Sequence, residues 1–261
     1  MLREIRRQFP SENLLYFADQ AHIPYGPRPL TQIRAFTVAI THFLHGQGAK
    51  IIVVACNTAS ATALHHLRMT WPELPFVGME PAVKPAAAQS QSGVVGVIAT
   101  PATFQGELFA SLIERYTQGV TVLEQVCPGL VEQVEAGALE TDETAALLHI
   151  CLDPLMQAGT DTLVLGCTHY PFLKPAIQRV AGPAVRIIDP SSAVARQTGR
   201  VLAQQGWLNP STEPGTLTSF TSGNPARFQE LAARLLGDSV LATRLSAPRP
   251  LLLTASQVWE Q

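Results

Sequence analysis

The chain has 261 residues, enough for one large domain or two of modest size. Hydrophobic residues make up 46% and charged residues 15%, which excludes disorder over most of the length. A net charge of −2 leaves no electrostatic footprint for nucleic acid or an anionic membrane surface, and no apolar run is long enough to cross a bilayer.

In chain order, Ile33, Phe36, Ile40, Phe43 and Leu44 recur at helical spacing over 31–47, and Gly46 and Gly48 close the pattern. The run 51–55 reads as a buried parallel strand, and 58–70 as the helix after it. Short strands are expected at 76–79 and 94–99, the latter leading through Thr100-Pro101 into a helix near 102–116. Residues 120–126 give a further strand, followed by helices near 129–137 and 142–158. Strand 163–165, a helix near 172–181, strand 185–188 and a helix to about 205 complete the alternation. Residues 207–216 read as a linker, before a strand at 217–221 and a helix at 225–236. The last stretch, 238–261, has no clear period and is expected to be a tail.

Alternation of this kind predicts parallel sheets with right-handed crossovers, covered on both faces. A shift to Pro, Ala, Gln and Ser at 81–92 marks a helix and hinge between two α/β domains. The expected division is 1–85 plus 191–237 for the first domain and 92–190 for the second, with the site in the cleft between them.

Four cysteines, Cys56, Cys127, Cys151 and Cys167, are too few and too scattered for a disulfide framework. No signal-peptide pattern opens the chain, so reduced thiols in a cytoplasmic protein are expected. Cys127 and Cys151 read as packing residues. Cys56 and Cys167 are different. Each ends an apolar run and is followed by small polar residues, as Cys56-Asn57-Thr58 and Cys167-Thr168-His169, and the two segments form a weak internal repeat. A thiol between a strand and a helix sits at the carboxyl edge of a parallel sheet, where open α/β folds bind ligands. Helix N–H groups there favour the thiolate, which serves as nucleophile or general base.

His169 is a plausible acid/base partner of Cys167, and Asn57, Thr58 and Thr168 offer donors suited to a carboxylate. The loop His22 to Arg28, with Tyr25-Gly26 at its centre, has the composition of a site loop. No Cys-x-x-Cys or His-x-x-x-His clamp accompanies either thiol, so no metal site is expected. A Cys56–His169–Asn57 hydrolase is a weaker alternative, because it leaves Cys167 unused.

The segments Val54-Ala55-Cys56-Asn57-Thr58-Ala59-Ser60 and Leu165-Gly166-Cys167-Thr168-His169-Tyr170-Pro171 resemble the two signature motifs of bacterial glutamate racemases, in the cofactor-independent Asp/Glu racemase family. Phe17-Ala18-Asp19, Pro24-Tyr25-Gly26, the strand 96–100, the run 131–137, Ile188-Asp189-Pro190 and Phe220-Thr221-Ser222-Gly223 fall in family order. The resemblance implies interconversion of L- and D-glutamate without pyridoxal phosphate, metal or other cofactor, supplying D-glutamate for peptidoglycan. It implies Cys56 and Cys167 as opposed bases, with Glu135 and His169 assisting and Glu132 as the alternative one turn away. It also implies substrate contacts from Tyr25, Gly26, Asn57, Thr58, Thr103, Thr168 and His169. The implied partners are glutamate, a cell-wall precursor as activator, and a second copy of the chain in a homodimer.

Family members open with a strand and the turn Phe-Asp-Ser-Gly-x-Gly-Gly. The start Met1 to Arg7 resembles the end of the helix that follows, so a first domain without that strand, its Asp and its Ser is expected. The alternatives are a racemase of aspartate or another small acid, and a catalytically silent binding protein.

Overall fold

Every strand pairing is parallel among the residues that the computed structural model describes, 1–236 and 245–250. The chain opens with α1 (Leu2–Gln8), β1 (Leu14–Ala18), α2 (Leu30–Gly46), β2 (Ile52–Val54), α3 (Asn57–Thr70) and β3 (Phe76–Gly78). It continues with α4 (Val83–Gln89), β4 (Val94–Ala99), α5 (Pro101–Phe104), α6 (Glu107–Tyr116), β5 (Thr121–Val126), α7 (Leu130–Glu135) and α8 (Asp142–Gln157). Then come β6 (Thr162–Leu165), α9 (Lys174–Ala181), β7 (Arg186–Ile188), α10 (Ser191–Gln204), β8 (Leu217–Thr221), α11 (Pro225–Leu236) and β9 (Leu245–Pro250). This is the α/β class, with parallel sheets, that the alternation implies.

The middle of the chain builds one four-stranded sheet, ordered β5-β4-β6-β7. The inner strands β4 and β6 are buried on both faces, which is why they read as unbroken apolar runs. Val95, Val97 and Val164 pack against Val83 and Ala86 of α4 and Phe109 and Leu112 of α6. Ile98, Leu163 and Leu165 face the other way, onto Leu130, Leu148, Leu152 and Ile177 of α7, α8 and α9. The two-residue period of the strands thus divides the core into two layers.

The first third of the chain does not form one continuous sheet. β1 pairs with β8, and β8 with β9, while β2 and β3 form a separate pair. Helix α2 packs on both sheets. Its Phe43 stands edge-on to Phe17 of β1 and Phe220 of β8, with ring centroids 5.7 and 4.9 Å apart. Its Ile33 and Leu44 join Ile52, Val54, Ala63, Leu64 and Leu67 in the core between α2, β2 and α3.

Several expectations are corrected. The helix near 102–116 breaks into α5 and α6 at Gly106, where a Cβ would lie 2.7 Å from that of Ala61. No α-helix follows Cys167 directly; a short 3-10 turn spans Tyr170–Leu173, and α9 begins only at Lys174. Strand β1 carries no expectation from the apolar periodicity, because it is short and partly exposed along most of its length. Part of the expected tail is strand β9, whose register on β8 shifts between Thr218 and Phe220. The rest of that tail lies outside the described residues.

The expectation of four reduced thiols is corrected at two of them. Cys127 directly follows β5 and Cys151 lies on α8; their Cα atoms are 5.5 Å apart and their sulfurs are paired as a disulfide. Both are buried in the core beneath the four-stranded sheet, so the packing reading holds beside the pairing. Only the docking of α8 on β5 brings them together. Cys56 and Cys167 remain free thiols.

Candidate active site

Cys56 stands where β2 ends and is the N-cap of α3, with extended backbone (φ −137°, ψ 126°). Its Sγ accepts from the Ala59 N–H at 3.5 Å. The turn is fixed by Ser60, whose Oγ donates to the Val54 carbonyl at 3.0 Å and accepts from the Met79 N–H at 2.9 Å. One buried hydroxyl thereby ties α3 to the ends of both β2 and β3.

The next residue, Asn57, is 2% exposed, and both its side-chain amide nitrogen and its oxygen are buried without a partner. Such a group costs free energy unless something fills its hydrogen bonds. Thr58 Oγ1 meets Thr100 Oγ1 at 2.7 Å and Thr103 Oγ1 at 3.2 Å, and the last two are 3.1 Å apart. Thr58 is on α3, whereas Thr100 and Thr103 follow β4, so this hydroxyl triangle joins the two halves of the molecule. Gly26 closes against the same point: a Cβ on it would lie 2.9 Å from Thr100 Cβ.

On the opposite side, Cys167 follows Gly166 at the end of β6. A Cβ on Gly166 would lie 2.8 Å from Ala99 Cβ and from the Ile98 carbonyl, so glycine lets β6 run close to β4 there. Cys167 Sγ lies 3.9 Å from His169 Nδ1, and His169 Nε2 lies 2.8 Å from Glu135 Oε1. Of the two glutamates on α7, Glu135 makes this contact and Glu132 is exposed. Because a carboxylate only accepts, Nε2 carries a proton and Nδ1 faces the sulfur. Thr168 is partly buried between these residues. His169 serves Cys167 rather than Cys56, which removes the support for the Cys56–His169–Asn57 alternative.

The charges differ between the two sides. Burial works against a protonated His169, but its hydrogen bonds to Cys167 and Glu135 outweigh this and hold it up to about 10. Cys56 departs from expectation. Burial pushes its thiol up to about 11, the α3 N–H of Ala59 only partly opposes this, and the nearby Cys167 charge raises it further. The helix start is present, but desolvation outweighs it. Tyr25 is pushed well above the usual phenol range, first by burial and then by the charge of Asp19, with Cys56 adding to both.

The apolar periodicity and the motifs single out neither Thr100 nor Asp19 as a site residue. Tyr25 Oη donates to Asp19 Oδ2 at 2.5 Å. The signals available in the sequence are a threonine opening a helix straight after a buried strand and an acid six residues before Tyr25.

The family model for Asp/Glu/hydantoin racemases matches residues 1–198. The chain belongs to the Asp/Glu/hydantoin racemase family. Among its racemase relatives is the glutamate racemase of Roseiflexus sp. (strain RS-1), 52% identical over 236 residues, which cover 90% of this chain and 87% of that one. The glutamate racemase of Thermus thermophilus, solved in complex with β-chloro-D-alanine, superposes with a TM-score of 0.80 at 35% identity, over 97% of this chain and 92% of that one. The Escherichia coli glutamate racemase, solved with L-glutamate and the activator UDP-MurNAc-Ala, superposes with a TM-score of 0.77 at 29% identity over 89% of each chain. Both free thiols fall at carboxyl ends of parallel strands, and no helix among the described residues is long and apolar enough to cross a membrane.

Proposed function

We propose that this racemase interconverts L- and D-glutamate with Cys56 and Cys167 as its two acid/base groups. The observation that carries the reading is the placement of the two free thiols: each lies just past the carboxyl end of a parallel strand, and Cys167 is near enough for its charge to act on Cys56. A single base cannot readily serve both faces of a held carbanion, whereas two opposed thiols can.

The asymmetry of the two sides supplies a resting state. Cys167 has the protonated His169 beside it and is assigned as the first base; Cys56, with its pKa raised, stays a thiol. The Cys167 thiolate takes the α-proton, the electron pair left on carbon delocalises into the substrate carboxylate, and the Cys56 thiol gives its proton to the opposite face. The two sulfurs exchange protonation states in each turnover, and the reverse reaction uses them in the opposite order. Glu135 orients His169 and stabilises its charge. Asn57, Thr58, Thr103, Thr168 and the Tyr25-Gly26 pair hold the substrate. The unpartnered amide of Asn57 is a donor in want of an acceptor, as a carboxylate would be, and the hydroxyl triangle lies beside it. These fixed dipoles in a buried site stabilise the developing charge.

Glutamate is taken as substrate from the many glutamate racemases this chain is similar to, and supply of D-glutamate to peptidoglycan follows from that. A nucleotide-linked cell-wall precursor of the kind bound by the Escherichia coli enzyme is the activator to try first. The deciding experiment is loss of the α-proton from L- and D-glutamate in deuterated water, with aspartate run in parallel. Exchange from both glutamate enantiomers is expected. Exchange from aspartate alone would reassign the substrate, and exchange from neither would reject the reading.

A further inference from the structure

Near each thiol of the site lies a ring hydrogen-bonded to a carboxylate. On the Cys167 side these are His169 and Glu135. On the Cys56 side they are Tyr25 and Asp19: Tyr25 packs with Cys56 against the α2–β2–α3 core, and its hydroxyl donates to Asp19 at 2.5 Å. We infer that Asp19 is a positioning residue for this reaction, acting through Tyr25 on the Cys56 half of the site. The inference rests on the racemase reading above.

The surroundings of Asp19 are built for this purpose. Its side chain is 8% exposed, and three donors satisfy it. Tyr25 Oη takes Oδ2, while His22 Nδ1 at 2.7 Å and Ser222 Oγ at 2.6 Å take Oδ1. Since an ionised carboxylate has no proton to give, His22 must carry its proton on Nδ1. His22 is fixed in turn by stacking on Phe36, with ring centroids 3.8 Å apart, and Arg28 Nε donates to its carbonyl at 2.6 Å. Ser222 follows β8 and accepts from the Ala21 N–H at 3.0 Å. Asp19 therefore joins the end of β1, the end of β8 and the loop that carries Tyr25-Gly26 into one unit. Hydrogen bonds to a buried carboxylate are short and strong, and three of them fix a geometry rather than merely fill a space.

Two consequences follow for the site. The Tyr25 hydroxyl proton is committed to Asp19, so the Cys56 sulfur takes its hydrogen bond from the start of α3 instead. Gly26, one residue on, is held against Thr100, so an error in the Tyr25 ring is passed to the hydroxyl triangle. Both contacts act on substrate binding before any proton moves.

The test compares Asp19→Asn, Tyr25→Phe and the double variant in the full chain. Turnover is measured with both glutamate enantiomers, binding of D-glutamate by calorimetry, and the folded fraction by thermal unfolding. Asp19→Asn is expected to raise KM and Kd about tenfold, the effect of losing one hydrogen bond to a charged group, with kcat within about twofold. The double variant should be no worse than Tyr25→Phe alone, because the carboxylate acts through that ring. Should Asp19→Asn fail to fold, Tyr25→Phe removes the same bond from its other end and must raise KM by itself. A fall in kcat at unchanged KM would mean only lost folded enzyme and would overturn the inference, as would additive effects in the double variant. Wild-type chain that neither turns over nor binds glutamate would overturn the racemase reading and this one together. Wild-type turnover with unchanged Asp19→Asn would overturn this one alone.

Discussion

Glu135 Oε1 stands 2.8 Å from His169 Nε2, and the other nitrogen of that ring faces the Cys167 sulfur at 3.9 Å. The pair makes the two thiols unequal: one lies beside a stabilised cation, and the other is capped by a helix start and desolvated.

The first prediction concerns the sulfurs themselves. Cys56→Ala and Cys167→Ala should each lower racemisation by at least about a thousandfold, because each removes the only base on its face. Chiral analysis of glutamate checks this, with thermal unfolding confirming the fold. Either variant keeping full racemisation would exclude the two-base scheme.

Glu135→Gln keeps the shape of the side chain and removes its charge. His169 then loses the charge of one of the two residues that raise it above its ordinary value. A fall in kcat of about ten- to a hundredfold is expected. The alkaline limb of the pH–rate profile should move to lower pH, since the imidazolium deprotonates earlier. An unmoved limb would dissociate Glu135 from the titration of His169.

Stability should fall as pH rises from near neutrality. His169 is raised from 6.5 to about 10, so it binds a proton more tightly folded than unfolded. Its contribution is complete below about 6.5 and is lost as pH rises toward 10. Cys56, raised from 9 to about 11, adds a loss of the same sign over that higher window. Denaturant titrations at pH steps across these windows should show the decline, and His169→Asn should flatten its lower part.

Gly26→Ala tests the contact between the two halves of the molecule. The added Cβ would meet Thr100 Cβ at 2.9 Å and its Cγ2 at 3.1 Å, and both belong to a short, branched side chain held in the hydroxyl triangle. A loss of about 1–3 kcal/mol in stability is expected from overpacking, with a raised KM for glutamate. Gly46→Ala, whose Cβ would meet nothing within 4 Å, is the control and should leave KM unchanged.

Much of the fold is legible in the sequence where burial is complete. Strands β4 and β6 and the sheet between them follow from apolar runs covered on both faces. Strand β1 is different: its residues are only partly buried, so its alternation carries little signal. The break at Gly106 depends on Ala61 of another helix, and the pairing of Cys127 with Cys151 depends on α8 docking beside β5. The site divides in the same way. Cys56, Cys167 and their polar followers stand out because each lies just past a buried apolar strand, which is a local signal. Asp19 and Thr100 do not, because their importance lies in what approaches them from elsewhere.

The order of residues along the chain fixed the α/β class, the two thiols and the identity of the polar groups beside them, since strand and helix periods and junction motifs depend on neighbours in sequence. Only the folded arrangement decided which glutamate reaches His169, that Asp19 sits behind Tyr25, and that Cys56 is raised rather than lowered. Proximity and desolvation depend on residues distant in sequence, and a helix start readable from sequence is outweighed once the surrounding protein removes its water.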